Sequence, residues 1–137
     1  MAKKKWILVV DDDPLAIDVI ESVLAHPDLL ITTANDALQA FIQARDLAPI
    51  LIISDIKMPG YGDGTQTLKM LREDPRIPRV PIIFMTGMDL NVARQLLPPN
   101  DPTIGLIPKP VDLKRLREYV WKFAGVVAPP GLNLDIP

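Results

Sequence analysis

Four short stretches of this sequence hold residues able to do chemistry together: Asp11-Asp12-Asp13, Ser54-Asp55, Thr86-Gly87 and Lys109-Pro110. Carboxylates, a hydroxyl and an ammonium are the parts of a phosphoryl-transfer site. Two unit charges about 4 Å apart repel by ~4 kcal/mol at an effective dielectric of about 20, so clustered carboxylates need a cation. Ligands that are all oxygen suit a hard one, Mg²⁺ or an analogue, which binds one or two carboxylates plus phosphate oxygens and keeps several waters. An aspartate beside such an ion, a hydroxyl and a lysine can act as a nucleophile and form an acyl phosphate. The chemistry requires the fold to bring the four stretches to one place.

Prolines and glycines cut the chain into a repeated alternation. Trp6 to Val10 is a continuous apolar, β-branched run, the pattern of a strand buried on both faces. Asp13-Pro14 opens a helix, with Asp as N-cap and Pro at the first helical position. Ala16, Ile20, Val23 and Leu24 recur at helical spacing until His26-Pro27 stops it. Leu30 to Thr33 reads as a second strand. Asn35 or Asp36 caps a helix facing inward through Ala37, Ala40, Phe41 and Ala44. Ile50 to Ile53 is a third strand, and after a glycine-rich loop Leu68 and Leu71 mark a helix ending before Pro75. Pro81 to Met85 is a fourth strand, Val92 to Leu97 a helix stopped by Pro98-Pro99, and Thr103 to Ile107 a fifth strand. Asp112 caps a last helix carrying Leu113, Leu116, Val120 and Phe123.

Five strand-then-helix units predict an α/β domain, a flavodoxin-like (βα)5 doubly wound parallel sheet of strand order 2-1-3-4-5. In such sheets ligands bind beyond the carboxyl ends of the strands, where the order reverses, here between strands 1 and 3. All four chemical stretches sit at those ends. The domain is expected over residues 1–125, followed by a Pro/Gly-rich tail over 126–137.

Composition removes other classes. Fifteen Lys+Arg against seventeen Asp+Glu give a net charge of -2, too even for a chain that coats nucleic acid. Zero cysteines exclude disulfides, thiol catalysis and cysteine-ligated metals, and the single histidine excludes a His-rich metal site. No apolar run is long enough for a membrane span or a signal-peptide core. A cytoplasmic location is expected, with no membrane or direct nucleic-acid partner.

The stretches Ile7 to Pro14, Asp55-Ile56-Lys57-Met58-Pro59-Gly60, Ile82 to Gly87 and Lys109-Pro110, taken in order, closely resemble response regulator receiver domains of two-component systems. The resemblance covers roughly residues 5 to 124. It implies that Asp55 is the phosphoacceptor, attacking the phosphohistidine of a histidine kinase or phosphotransfer protein. It implies Mg²⁺ as cofactor, bound directly by Asp12, through water by Asp11, and by Asp55 and the backbone carbonyl of Lys57. Thr86 corresponds to the hydroxyl that bonds a phosphoryl oxygen, Lys109 to the ammonium that pairs with the phosphate, and the Lys109-Pro110 bond to a cis peptide. The module would signal to a downstream protein target through protein contacts. It would not be an enzyme beyond gaining and losing its own phosphoryl group.

Plainer roles are expected elsewhere. Asp13 reads as a helix cap, Lys3-Lys4-Lys5 as a solvated leader, Lys114, Arg115, Arg117 and Lys122 as a wet helix face, Trp6 and Trp121 as packing, and His26 as exposed and idle. The sequence departs from the family in three places. The loop from Asp55 to Gly64 is one residue longer than usual. Leu106 stands where many members carry Tyr or Phe, and is expected to stay buried. Pro98 to Pro102 replaces the end of a longer fourth helix. Two other functions fit the motifs less well. A binding scaffold that does not use phosphate is opposed by the complete set of Asp11, Asp12, Asp55, Thr86 and Lys109. A Mg²⁺-dependent phosphatase working through an aspartyl phosphate would need its nucleophile on strand 1, and Pro14 stands where its Thr or Val would follow. A single-domain regulator that works through protein contacts is the natural reading, with one domain of a larger chain as the alternative.

Overall fold

The computed structural model describes residues 4–56 and 64–131. Its elements are β1 (Lys5–Val10), α1 (Pro14–Leu24), β2 (Leu29–Ala34), α2 (Ala37–Leu47), β3 (Leu51–Asp55), α3 (Gly64–Glu73), β4 (Ile82–Thr86), α4 (Leu90–Arg94), β5 (Ile104–Pro108) and α5 (Leu113–Ala124). The five strands form one parallel sheet in the order β2-β1-β3-β4-β5.

The unalternated strands follow from two cores. Leu8, Val10, Ile52 and Phe84 face α2, α3 and α4 through Ala40, Ala44, Leu68, Leu71 and Ala93. Ile7, Val9, Ile53 and Met85 face α1 and α5 through Ile20, Leu24, Leu116, Val120 and Trp121. Both faces of β1, β3 and β4 are dry along their central residues, so these are apolar and polar side chains enter only toward the strand ends, as Lys5, Ser54, Asp55 and Thr86 do. Burying each such side chain contributes ~1.5–3 kcal/mol, which fixes the register and hence which residues emerge at the carboxyl edge.

Helix starts follow the caps read from sequence. Asp13 accepts from the Leu15 amide with Pro14 at N1, Asp36 accepts from the Gln39 amide, and Asp112 from the Arg115 amide. Of the two candidates for the α2 cap, Asp36 is the one used.

Four expectations need correction. Helix α4 stops at Arg94 and not Leu97, because Gln95, Leu96 and Leu97 donate to carbonyls three residues back. The backbone tightens there as it approaches Pro98-Pro99, where the α region is disfavoured. Leu106 is only half-buried, because β5 is an edge strand and the short α4 leaves part of its flank uncovered. Lys5 is no solvated leader: its ammonium bonds the Ala124 carbonyl at the C-terminus of α5 at 2.5 Å, where a cation complements the helix dipole.

His26 is also not idle. Its Nδ1 accepts from the Asp28 amide at 3.0 Å, so Nε2 carries the proton and donates to the Val127 carbonyl at 2.6 Å. Trp121 packs as expected, with its indole N–H donating to Leu24 O at 3.1 Å, and Arg117 of the expected wet face lies over its ring.

Candidate functional site

The carboxyl ends of β1, β3, β4 and β5 lie side by side, and the groups that follow them meet there. Asp11 leaves β1 with its amide still bonded to Ala34 O of β2 at 3.1 Å. That bond carries the sheet one residue beyond Val10 and holds the Asp11 side chain over the sheet edge. Asp55 is the last residue of β3, paired in register with Met85 of β4. Thr86 ends β4, and its carbonyl accepts the Lys109 amide at 2.7 Å, which ties the end of β5 to the end of β4. The Lys109-Pro110 peptide is cis, as the resemblance implied.

One carboxylate oxygen from each of Asp11, Asp12 and Asp55 lies within 4.8 Å of the others. Asp11 is 1% exposed and Asp55 8%, whereas Asp12 is open to solvent. A buried carboxylate needs partners. Asp11 has them on both oxygens: Oδ1 accepts from the Asp13 amide at 3.0 Å and Oδ2 from Lys109 Nζ at 3.2 Å. The same ammonium reaches Asp55 Oδ2 at 3.2 Å. Burial alone would lower the Lys109 pKa, but hydrogen bonds and Coulomb attraction from Asp11, then Asp55, outweigh it and hold the pKa above its ordinary value.

Three carboxylates against one ammonium leave the cluster two negative charges in excess. An all-oxygen donor set with that deficit fits a hard divalent cation, the class to which Mg²⁺ belongs. The open side is at Asp12, where a cleft runs between Asp12, Pro14, Asp18 and Asn35. Asp13 is turned away, its carboxylate bonded to the Leu15 amide at 3.0 Å.

Thr86 is 2% exposed, and its hydroxyl oxygen accepts from the Met88 amide at 2.9 Å. As acceptor it keeps its own O–H for another partner. The structure thus brings together Asp11, Asp12, Asp55 and Lys109, and joins Thr86 to Lys109 through the main chain. Lys57, the Met58-Pro59-Gly60 motif and most of the Asp55-to-Gly64 loop expected to be one residue longer than usual lie outside the described residues.

Two contributors were not anticipated. Gly64 opens α3 with its amide on Ile56 O at 2.8 Å. A Cβ there would lie 2.5 Å from Asp55 O, 2.9 Å from Phe84 Cε1 and 3.2 Å from Ile56 Cα. Only glycine lets α3 start against the end of β3. The glycine-rich composition of the loop hinted at it, but not which glycine carried the constraint. The Met88 amide on Thr86 is a backbone group and leaves no mark in sequence.

Comparison with known proteins agrees with this geometry. The family model described as "Response regulator receiver domain" matches residues 7–121. Response regulator Rre1 of Synechocystis is 37% identical over 88 residues, 64% of this chain and 38% of that protein. The DNA-binding transcriptional regulator NtrC of Escherichia coli is 33% identical over 108 residues, 78% of this chain and 22% of that protein. The chain thus spans well under half the length of these relatives. Among solved structures, the receiver domain of the sensor histidine kinase PA1611 from Pseudomonas aeruginosa, with a magnesium ion coordinated in its active site cleft, is 26% identical. It superposes with a TM-score of 0.72 over 89% of this chain and 98% of its own.

Proposed function

Because the chain belongs to the response regulator receiver domain family, a family of two-component signalling modules, we propose that it accepts a phosphoryl group on Asp55 in a two-component phosphorelay. The observation that carries the reading is Lys109 Nζ lying 3.2 Å from both Asp11 and Asp55 beside the exposed Asp12. An Asp55 oxygen attacks the phosphorus of a phosphohistidine on a histidine kinase or phosphotransfer protein. The P–O bond forms as the P–N bond breaks, and the departing imidazole nitrogen keeps the electron pair and is protonated from water. Lys109 then pairs with the phosphoryl oxygens. Thr86 turns its O–H to one of them while keeping the Met88 amide on its oxygen. Asp11, Asp12, Asp55 and the Lys57 carbonyl would hold Mg²⁺, which when bound neutralises the charge that develops as carboxylate and phosphoryl group approach. Water attack at phosphorus returns Asp55 to a carboxylate.

Residues 1–125 form the receiver unit and 126–137 its tail, with output through contacts to a downstream protein and no direct hold on nucleic acid or membrane. Among the described residues, no helix is long and apolar enough to cross a membrane. A phosphatase with its nucleophile on β1 is disfavoured by Pro14, the first residue of α1, which stands where the Thr or Val of such an enzyme would follow.

The test is incubation with acetyl phosphate and Mg²⁺ followed by intact mass. The native chain should gain one phosphoryl group and Asp55→Asn none. Labelling of Asp55→Asn equal to native, or catalytic turnover of small phosphoesters, would refute the assignment.

A further inference from the structure

Strand β2 is an edge, paired among the described residues only with β1. Natural sheets guard such an edge with lysine, proline, a bulge or a covering segment. β2 reads Leu-Leu-Ile-Thr-Thr-Ala, with no charge, proline or glycine along it. We infer that this edge is an interface for a second copy of the chain, which adds its own β2 antiparallel across a twofold axis at Ile31.

The hydrogen-bonding groups left open on the edge fit that partner. The Ala34 carbonyl faces β1, since it accepts the Asp11 amide at 3.1 Å. Peptide groups alternate along a strand, so Leu30 and Thr32 also face inward, and Leu29, Ile31 and Thr33 turn their N–H and C=O groups out. Two of these outward groups are engaged: the Leu29 amide donates to His26 O at 3.1 Å, and the Thr33 carbonyl accepts from Gln43 Nε2 at 3.4 Å. Among the described residues, that leaves the Leu29 carbonyl, both groups of Ile31 and the Thr33 amide. In an antiparallel pair centred on Ile31, Leu29 of each copy stands opposite Thr33 of the other. The two Ile31 residues exchange two hydrogen bonds, and each Thr33 amide donates to the Leu29 carbonyl across from it, four bonds in all. Every open group is used, and the engaged ones keep the partners they have.

The other edge of the sheet lacks this fit. The Ile82 amide donates to Thr103 O and the Lys109 amide to Thr86 O, so Ile104, Leu106 and Pro108 are the residues of β5 that face out. Pro108 has no N–H to give, and the Ile104 amide is taken by Asp101 O at 3.2 Å. The same pairing about Leu106 would keep only the two central bonds.

Side chains and charge favour a copy of the same strand. Ile31 is half-buried at the margin of the core beneath α1, and the twofold axis sets it against its own counterpart as an apolar cross-strand pair. With no charge from Leu29 to Ala34, no like charges stand opposite each other. A net charge of -2 adds little repulsion between copies. The carboxyl edges that carry Asp55 then point in opposite directions, so both sites stay open.

The chain has no cysteine, so Ile31→Cys carries a sole thiol that can crosslink only to its own copy. Hydrogen-bonded antiparallel pairs hold their Cα atoms about 5.5 Å apart, within reach of a disulfide. Under mild oxidation of the full-length chain, Ile31→Cys should form a disulfide dimer about tenfold or more faster than Leu106→Cys, a half-buried position on the other edge. Amide exchange in the native chain is the second readout. The Ile31 amide should slow by about fivefold or more as protein rises from about 10 μM to about 1 mM. Thr32, which pairs with β1, should not change, and it reports that the domain is folded. Equal crosslinking of the two variants, or exchange at Ile31 that ignores concentration, would overturn the inference. Constant high protection of Ile31 would place a segment of the same chain on the edge, and protection rising at Leu106 instead would place the interface on β5; either result also refutes it.

Discussion

Two regions of this domain break the ordinary rule of apolar inside and polar outside, in opposite directions. At the carboxyl edge of the sheet, Asp11, Asp55 and Thr86 are buried. On the flank formed by α4, β5 and α5, large apolar side chains are exposed, including Val92, Leu96, and the stacked rings of Tyr119 (51% exposed) and Phe123 (41%). Between β5 and α5 runs a groove of about 470 Å³, lined by Leu106, Ile107, Val111, Arg115 and Tyr119. Buried polar groups cost stability and persist where chemistry uses them, whereas exposed apolar groups mark surfaces that meet something else. Substitutions at the edge should therefore change labelling or stability, and substitutions on the flank should change neither.

The largest effect is expected at Asp12. Because Asp12 is exposed and holds the open side of the cluster, Asp12→Ala removes a proposed metal ligand without creating a cavity. Mg²⁺ affinity by titration should fall by about tenfold or more, at least the loss that removing an outer-shell partner of a metal ligand brings. Asp13→Ala is the contrast within the same triplet: metal affinity should hold while stability drops by ~1 kcal/mol through loss of the α1 cap. Equal affinity losses in the two variants would show the triplet misassigned.

Gly64→Ala comes next. The added Cβ meets backbone at 2.5 Å and the Phe84 ring at 2.9 Å, so α3 has to move off the end of β3. A loss of ~1–3 kcal/mol is expected in denaturant melts, the usual range for overpacking. A variant as stable as native would mean that the α3 start is loose and that Gly64 does not hold the site together.

A subtler effect follows from Lys109. Its pKa is raised in the folded chain, so its stabilising contribution is complete below its unfolded value near 10.5 and fades as pH rises through the folded value. The native chain should therefore lose stability above about pH 10.5, and Lys109→Met should not show that component. Between pH 6 and 9 the difference between the two proteins should be flat. A difference that changes across that interval would assign the effect to another group.

The smallest effect is expected on the flank. Tyr119→Ser removes half of the exposed ring pair, and stability should stay within about 0.5 kcal/mol of native, with phosphoryl labelling unchanged. A larger loss of stability would show that the flank is part of the core and not a contact surface.

How far the sequence discloses each region has a physical reason. Strands β1, β3 and β4 are buried on both faces, so continuous apolar runs betray them, and their abrupt ends at Asp11, Asp55 and Thr86 locate the site. Caps at Asp13, Asp36 and Asp112 are local and equally readable. What depends on meetings between distant elements was hidden. The contact of Lys5 with Ala124, of His26 with Val127, and of Gly64 with the end of β3 each joins segments whose approach no local pattern encodes. The same holds for the unequal burial of Asp11 and Asp12, adjacent residues of one type that the sheet edge divides. The end of α4 was misplaced because the apolar spacing continues through Leu97, while the following prolines tighten the backbone before it.

The central claim is that Asp55 accepts the phosphoryl group with a divalent metal held by its neighbours. Borohydride reduction after exposure to acetyl phosphate tests it most directly, since an acyl phosphate is reduced to an alcohol that peptide mapping can locate. The account predicts reduction at Asp55 alone, present with Mg²⁺ and absent with a chelator. Reduction at Asp11 or Asp12, or equal labelling without metal, would contradict it.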